Sequence, residues 1–230
     1  SIVGKPNAGK STLINSLSKQ NVSIVSEQPG TTRDTIDVII SNKNKKYSFI
    51  DTAGLRKKSR ISDNVEYYST SRAIKSIEES NIVILIIDSQ YGPTSQDSKI
   101  CSLIKKNNKG LIIAINKSDL IPSEIKDEKV ISEAILKKLT EVNYAHTILI
   151  SALNSKNVNK IYTLIDEIND SLNKKVNTNK LNKYLKSLID KSTAPVNRGR
   201  RLKFYYATQT NSDTPSFVLF SNFAKKIPNT

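Results

Sequence analysis

Eight residues near the start of the chain, Gly4-Lys5-Pro6-Asn7-Ala8-Gly9-Lys10-Ser11, have the types and spacing of a phosphate-binding loop. Glycines at both ends let backbone N–H groups close around phosphate oxygens, and the following helix directs its positive end toward them. Lys10 would neutralise the β- and γ-phosphates, and the Ser11 hydroxyl would ligate magnesium. The loop lies where this chemistry needs it, after the strand-like Ile2-Val3 and before an amphipathic segment.

Three further clusters each follow a short apolar run. Asp51-Thr52-Ala53-Gly54 comes directly after Tyr47–Ile50. An Asp at that strand end suits an outer-shell magnesium partner, and Gly54, lacking a side chain, lets its N–H approach a γ-phosphate. Asn116-Lys117-Ser118-Asp119 follows Leu111–Ile115. The Asp119 carboxylate can accept two hydrogen bonds from the N1–H and N2–H₂ of guanine, where adenine offers no matching donor pair. The Lys117 stem can lie along the base, and the Asn116 amide can tie this turn to the phosphate loop. Ser151-Ala152-Leu153 follows the run Thr147–Ile150 and offers a backbone N–H to the guanine O6. In this order and at these strand ends, the four clusters point to a magnesium-bound guanine nucleotide, GTP or GDP.

Positioning such clusters calls for strands that alternate with helices. Apolar β-type runs occur at Ile36–Ile40, Tyr47–Ile50, Ile82–Asp88, Leu111–Ile115 and Thr147–Ile150. Helix-patterned segments lie between them at Lys10–Ser18, Val65–Ser80, Ser95–Asn107, Glu128–Thr140 and Asn157–Leu172. This alternation predicts an α/β fold whose mostly parallel sheet is covered by helices on both faces. The polar stretch Ser41–Lys46 joins the first two runs as an antiparallel hairpin at an edge. Cys101 belongs to an apolar helix pattern and reads as a core thiol; His146 has no partner for a metal site.

Among the 230 residues, 36 are Lys or Arg against 21 Asp or Glu, a net charge of +15. Such an excess favours a polyanionic partner. No apolar run is long enough to span a membrane, and a single cysteine excludes an intramolecular disulfide, which fits a reducing compartment. The charge is uneven. Residues 173–230 hold 9 Lys and 3 Arg against Asp190 and Asp213, a net of +10, which leaves +5 for the first 172. Four of the five Phe, at 204, 217, 220 and 223, fall in this basic part. It reads as an RNA-contacting module or as a small aromatic core under solvated cations. The expected division is a nucleotide domain at 1–172, an Asn/Lys-rich linker at 173–180 and a second domain at 181–230. The chain has no Met and enters its glycine loop after three residues, so it reads as a piece of a longer protein.

Taken together, Gly4–Thr12, Pro29-Gly30-Thr31-Thr32-Arg33-Asp34 and Asp51-Thr52-Ala53-Gly54-Leu55 resemble the Era/EngA/TrmE branch of translation-factor-type GTPases. More narrowly, four features are similar to the EngA (Der) family. These are the basic Arg56–Arg60 run, the Gly92–Gln96 turn, Asn197–Gln209 and Pro215–Phe220. The resemblance covers essentially the whole chain. It implies a P-loop GTPase domain followed by a truncated KH-like α/β domain, with a first GTPase domain before Ser1 and a last helix and strand after Thr230. It also implies nucleotide contacts from Gly4 to Thr12, from Asp51 to Leu55, and from the Asn116–Asp119 and Ser151–Leu153 clusters. Thr32 would be a mobile magnesium and γ-phosphate ligand beside Ser11 and Asp51. Many GTPases orient the attacking water with a Gln where this chain has Leu55; the branch resemblance implies instead a potassium ion held by Asn7. Catalysis would then rest on Lys10, Asn7, Thr32 and Gly54.

Two departures are local. Ala8 stands where the family often has Val, and Ser118 where Trp is commoner. The basic region also lacks the Gly-x-x-Gly loop by which ordinary KH domains clamp RNA, as the EngA family does. The implied function is GTP hydrolysis to GDP and phosphate, used as a switch in assembly of the large (50S) ribosomal subunit. The expected partners are that particle and its rRNA, and the expected state is a monomer, cytoplasmic and ribosome-associated; an organellar setting also fits. The competing readings are a nucleotide-independent RNA-binding protein and another GTPase of the branch, such as Era.

Overall fold

The computed structural model describes residues 1–19, 37–50, 65–125, 127–191, 196–197, 200–210, 212 and 214–222; for 65–70, 196–197 and 200–201 it describes the backbone alone. Thr32, the Asp51–Leu55 cluster, the basic run 56–60, Arg198 and Phe223 lie outside the described residues. The chain divides into two compact units, Ser1–Asn169 and Asp170–Thr230.

The first unit is organised by runs of β-branched residues too apolar to face water on either side. The strands β1 (Ile2–Gly4), β4 (Ile82–Asp88), β5 (Gly110–Asn116) and β6 (His146–Leu149) form a parallel sheet in the order β1-β4-β5-β6. Val83, Leu85, Ile87, Leu111, Ile113 and Ile115 are buried on one face. They pack with Ile77 of α2 (Val65–Glu79), Cys101 and Ile104 of α3 (Ser95–Lys106) and Ile135 of α4 (Glu128–Lys138). The alternate residues Ile84, Ile86, Ile112 and Ala114 are equally buried, because successive side chains of a strand point to opposite faces. On their side, α5 (Lys160–Leu172) approaches so closely that a Cβ on Gly110 would lie 2.5 Å from the Ile168 Cγ2. The Tyr162 hydroxyl donates to the Leu17 carbonyl of α1 (Lys10–Lys19) at 3.3 Å, joining the two helices of this face.

Three local expectations change. The hairpin strands are β2 (Val38–Asn42) and β3 (Lys45–Phe49), so the turn is only Lys43-Asn44, with φ of 47° and 65°. Both values belong to the tight turn whose twist matches paired strands, and the polar residues beside it extend the ladder. Among the described residues, this ladder stands by itself and is not an edge of the four-stranded sheet. It lies against α5: Asp166 takes a 3.0 Å hydrogen bond from the Tyr47 hydroxyl and a 2.9 Å ion pair from Lys45. The Tyr47 and Tyr162 rings are 4.8 Å apart. Finally, α5 starts at Lys160 and not at Asn157, whose positive φ of 59° is unhelical and whose amide donates to the Leu149 carbonyl at 2.9 Å.

In the second unit, α6 (Thr178–Lys191) begins inside the stretch expected to be a linker. The Asn177 side chain accepts the Asn179 N–H at 2.9 Å, a helix-start bond, so the Asn-rich composition served capping. Residues just before it are also tied down. Gln209 accepts from the Val176 N–H at 2.7 Å and donates to the Lys174 carbonyl at 3.0 Å. The strands β9 (Phe204–Gln209) and β10 (Phe217–Ser221) pair antiparallel, following the short ladder of β7 (Val196–Asn197) and β8 (Arg200–Arg201). Asn182 of α6 closes a two-bond ring with the backbone of Ala207, both bonds at 2.8 Å, as a neighbouring strand would. Leu202 and Ala207 are buried here, whereas Tyr205, Tyr206, Phe217 and Phe220 are exposed. Of the four Phe of the basic part, Phe217 and Phe220 are exposed and Phe204 is half-buried, while Phe223 lies outside the described residues.

Candidate nucleotide-binding site

The phosphate loop is a turn between β1 and α1 made by unusual backbone angles. Gly4 has φ +141°, Asn7 φ 63° and Gly9 φ +107°. Glycine is needed at both outer positions for space as well as conformation. A Cβ on Gly4 would lie 2.5 Å from the Ile86 carbonyl oxygen of β4, and one on Gly9 2.1 Å from the Asn116 Nδ2. Lys5 is half-buried, Pro6 and Asn7 are exposed, and Ala8 is buried. The loop ends in the first turn of α1, where Lys10 is half-buried and Ser11 and Thr12 are exposed. The Lys10 ammonium turns back over the loop and donates to the Gly4 carbonyl at 2.7 Å and the Lys5 carbonyl at 2.6 Å. Burial pushes its pKa below the usual lysine range, and the carboxylate of Asp97 opposes that shift.

The turn Asn116–Asp119 is assembled from three strand ends. Asn116 closes β5 and is buried; its Nδ2 donates to the Ala8 carbonyl at 2.8 Å, and its Oδ1 accepts the Ala152 N–H at 2.9 Å. One amide thus joins the phosphate loop, β5 and the turn after β6. Lys117 follows with φ 63°, and Ser118, buried, donates its N–H to the Ile150 carbonyl at 3.0 Å. At this position the backbone makes the connection. Asp119 stands exposed in the short 3₁₀ turn Ser118–Leu120. In the last cluster, Ser151 is fully buried and exchanges backbone bonds with Lys156, and Leu153 is 78% exposed.

Sequence reasoning overlooked two acidic side chains here. Asp88 ends β4 directly opposite Asn116 in the ladder and forms an ion pair with Lys117. Its signal is the one that exposed Asp51 and Asn116, a polar residue closing an apolar strand. Asp97 is 2% exposed; its Oδ2 accepts from the Thr94 N–H at 2.9 Å and hydroxyl at 2.7 Å, and its Oδ1 has no partner among the described residues. The Thr94-x-x-Asp97 spacing is a helix-start signature visible in the sequence. Among the described residues no group of three or more His, Cys, Asp or Glu forms a metal cluster, and no helix is long and apolar enough to cross a membrane.

Comparison with known proteins gives this geometry a setting. A family described as 50S ribosome-binding GTPase matches residues 1–117, and the KH-domain-like C-terminal region of EngA bacterial GTPase enzymes matches residues 175–230. GTPase Der of Natranaerobius thermophilus is 45% identical over 222 residues, covering 96% of this chain and 50% of that protein. GTPase Der of Persephonella marina is 39% identical, covering 96% and 49% respectively. The chain spans about half the length of the curated relatives it matches. Era in complex with MgGDPNP and nucleotides 1506–1542 of 16S ribosomal RNA is similar with a TM-score of 0.55 at 34% identity, over 72% of this chain and 54% of that one. A probable GTP-binding protein, engB, shares the fold at 20% identity with a TM-score of 0.52, over 73% of this chain and 96% of its own.

Proposed function

This chain belongs to the 50S ribosome-binding GTPase family, and from that premise we propose that it binds GTP and GDP, hydrolyses GTP to GDP and phosphate, and serves as a switch in large-subunit assembly. The observation that carries the reading is Asn116, whose single amide holds the Ala8 carbonyl and the Ala152 N–H. That bridge sets the distance between a phosphate cradle and a base-reading turn, which is the register a nucleoside triphosphate needs.

In this reading, phosphate oxygens replace the Gly4 and Lys5 carbonyls as partners of Lys10, and their charge favours the ammonium that burial alone disfavours. The N–H groups opening α1 add the positive end of a helix. Asp119, exposed and free to meet a ligand edge, reads N1–H and N2–H₂ of guanine. Lys117 and Leu153 supply the stem and the exposed apolar side chain that a base plane would cover. A backbone N–H of the Ser151–Leu153 turn meets O6.

Ser11, Thr32 and Asp51 would hold magnesium: two hydroxyls and a carboxylate are the hard oxygen donors this ion takes, and Ser11 is exposed beside Lys10. The ion would offset charge on the β- and γ-phosphate oxygens. Thr32, Asp51 and Gly54 enter from the sequence alone. Potassium is the further proposal. Asn7, exposed in the loop, has an amide oxygen suited to a monovalent cation, and Leu55 can neither hold nor polarise water. The expected partners are the large ribosomal subunit and its rRNA, with the chain monomeric, cytoplasmic and ribosome-associated.

The test has two stages. GTP and GDP should each bind in an equilibrium titration, and GTP should turn over; a chain that binds RNA but no nucleotide would be the nucleotide-independent RNA-binding protein instead. Hydrolysis should then be faster in KCl than in NaCl at equal ionic strength and saturating GTP, with the difference lost in Asn7→Ala. Matched ionic strength is required because a +15 protein responds to salt through screening alone. Equal rates in the two salts would remove potassium from the mechanism.

A further inference from the structure

We infer that Asp88 is a positioning residue for nucleotide affinity, anchoring Lys117 so that the lysine stem stands ready as a shelf for the base. The inference rests on the nucleotide-binding reading above. Parallel pairing places Asp88 of β4 opposite Asn116 of β5, one residue before Lys117. The Asp88 Oδ2 takes the Lys117 ammonium, and its Oδ1 accepts the Gln90 N–H at 3.0 Å, so both carboxylate oxygens are engaged. The Asp88 side chain is 12% exposed and that of Lys117 34% exposed, so this pair is less screened by water than an ordinary surface pair.

The surrounding bonds show a turn built to hold one lysine conformation. Lys117 has a left-handed backbone, φ 63°, which a non-glycine residue adopts only when its neighbours compel it. Ser89 donates its N–H to the Asn116 carbonyl and its hydroxyl to the Lys117 carbonyl, each at 3.0 Å. The Gln90 side chain donates to the Leu120 carbonyl at 3.2 Å. The loop after β4 is therefore laced along the base-reading turn from Asn116 to Leu120. Backbone bonds fix where the lysine starts and, among the described residues, Asp88 alone fixes where its ammonium ends. Without that anchor the flexible stem must be ordered at the moment of binding, which weakens affinity for any purine base.

The experiment is Asp88→Asn in the full chain, an isosteric change that keeps an acceptor for the Gln90 N–H. The dissociation constant of GDP should rise about tenfold, the cost of ordering one long side chain. That of inosine diphosphate should rise by the same factor, because a shelf touches the ring plane and not the N2 amino group. In a Lys117→Ala background the same substitution should change nothing further, and Asp88→Glu should restore part of the affinity. Thermal melting of each variant registers any loss of fold. Unchanged GDP affinity in Asp88→Asn, or an equal loss with and without Lys117, would overturn the inference. Failure of the wild-type chain to bind GDP would instead overturn the nucleotide reading on which it rests.

Discussion

The phosphate loop and the base-reading turn end two strands that flank β4, yet they are made of different material. The loop is shaped by main chain: three residues from Gly4 to Gly9 have positive φ, and Lys10 is held by two backbone carbonyls. The turn after β5 is shaped largely by side chains, those of Asn116, Ser89, Asp88 and Gln90, bonded across three strand ends. On the proposed nucleotide reading, the difference follows from what each end would recognise. Phosphates are the same in every nucleotide, so unvarying N–H groups suffice, whereas a base is distinguished by its edge and needs chosen side chains. The two regions meet at one place, where Gly9 leaves room for the Asn116 amide.

Breaking that meeting point should have the largest effect. Gly9→Ala would put a Cβ 2.1 Å from the Asn116 Nδ2 at φ +107°, so the loop and the amide cannot both keep their places. We expect GDP affinity to fall by about 100-fold or more and stability by about 1–3 kcal/mol, measured by titration and thermal melting. Wild-type affinity in this variant would mean the two regions are not coupled through Asn116.

A change confined to the base end should be smaller and selective. Asp119→Asn should weaken GTP by roughly 5- to 150-fold and gain affinity for xanthosine triphosphate, whose O2 is an acceptor where guanine carries a donor. Because the phosphate loop is untouched, the gained ligand should bind with Lys10 still contributing. Equal loss for both nucleotides would show that Asp119 supports the turn without reading the base.

The smallest effect lies outside both regions and separates the site from the fold. Tyr47→Phe removes the hydroxyl bonded to Asp166 and should lower stability by about 1 kcal/mol while leaving GDP affinity unchanged. Burial and the neighbouring Asp166 push the Tyr47 pKa up to about 12. The neutral phenol is thus favoured by folding: its contribution is complete below the ordinary tyrosine pKa and is lost as pH rises toward 12. Stability of the wild-type chain should therefore decline more steeply between about pH 10 and 12 than that of the variant. Parallel declines would place the bond elsewhere.

Elements whose residues face one environment were plain in the sequence. The unbroken apolar run at β4 and the glycine loop before α1 needed only their own residues to be recognised, because burial on both faces and tight curvature each leave a local mark. Elements with mixed surroundings were displaced. The β2–β3 turn shrank to Lys43-Asn44 because polar residues can pair on a solvent-facing ladder, and the stretch before α6 was fastened by Gln209, some thirty residues later along the chain. The exposed aromatics of β9 and β10 show the same limit: a hydrophobic residue states a preference, and only its neighbours decide whether that is met.

The site divides along the same line. Its proposed chemistry is read from residue types, since Lys10, Asn116 and Asp119 carry functional groups with few alternative uses in those turns. What assembled them was the parallel register of the sheet, which set Asp88 against Asn116 and brought Asn116 to Ala8, 108 residues earlier. Covalent neighbours fix local curvature and hydrophobic period, so the sequence determined a glycine turn before α1 and a polar turn closing β5. Contacts between distant residues depend on which strands pair and in what register, so only the tertiary structure decided that Gly9 makes room for Asn116 and that Asp88 holds Lys117.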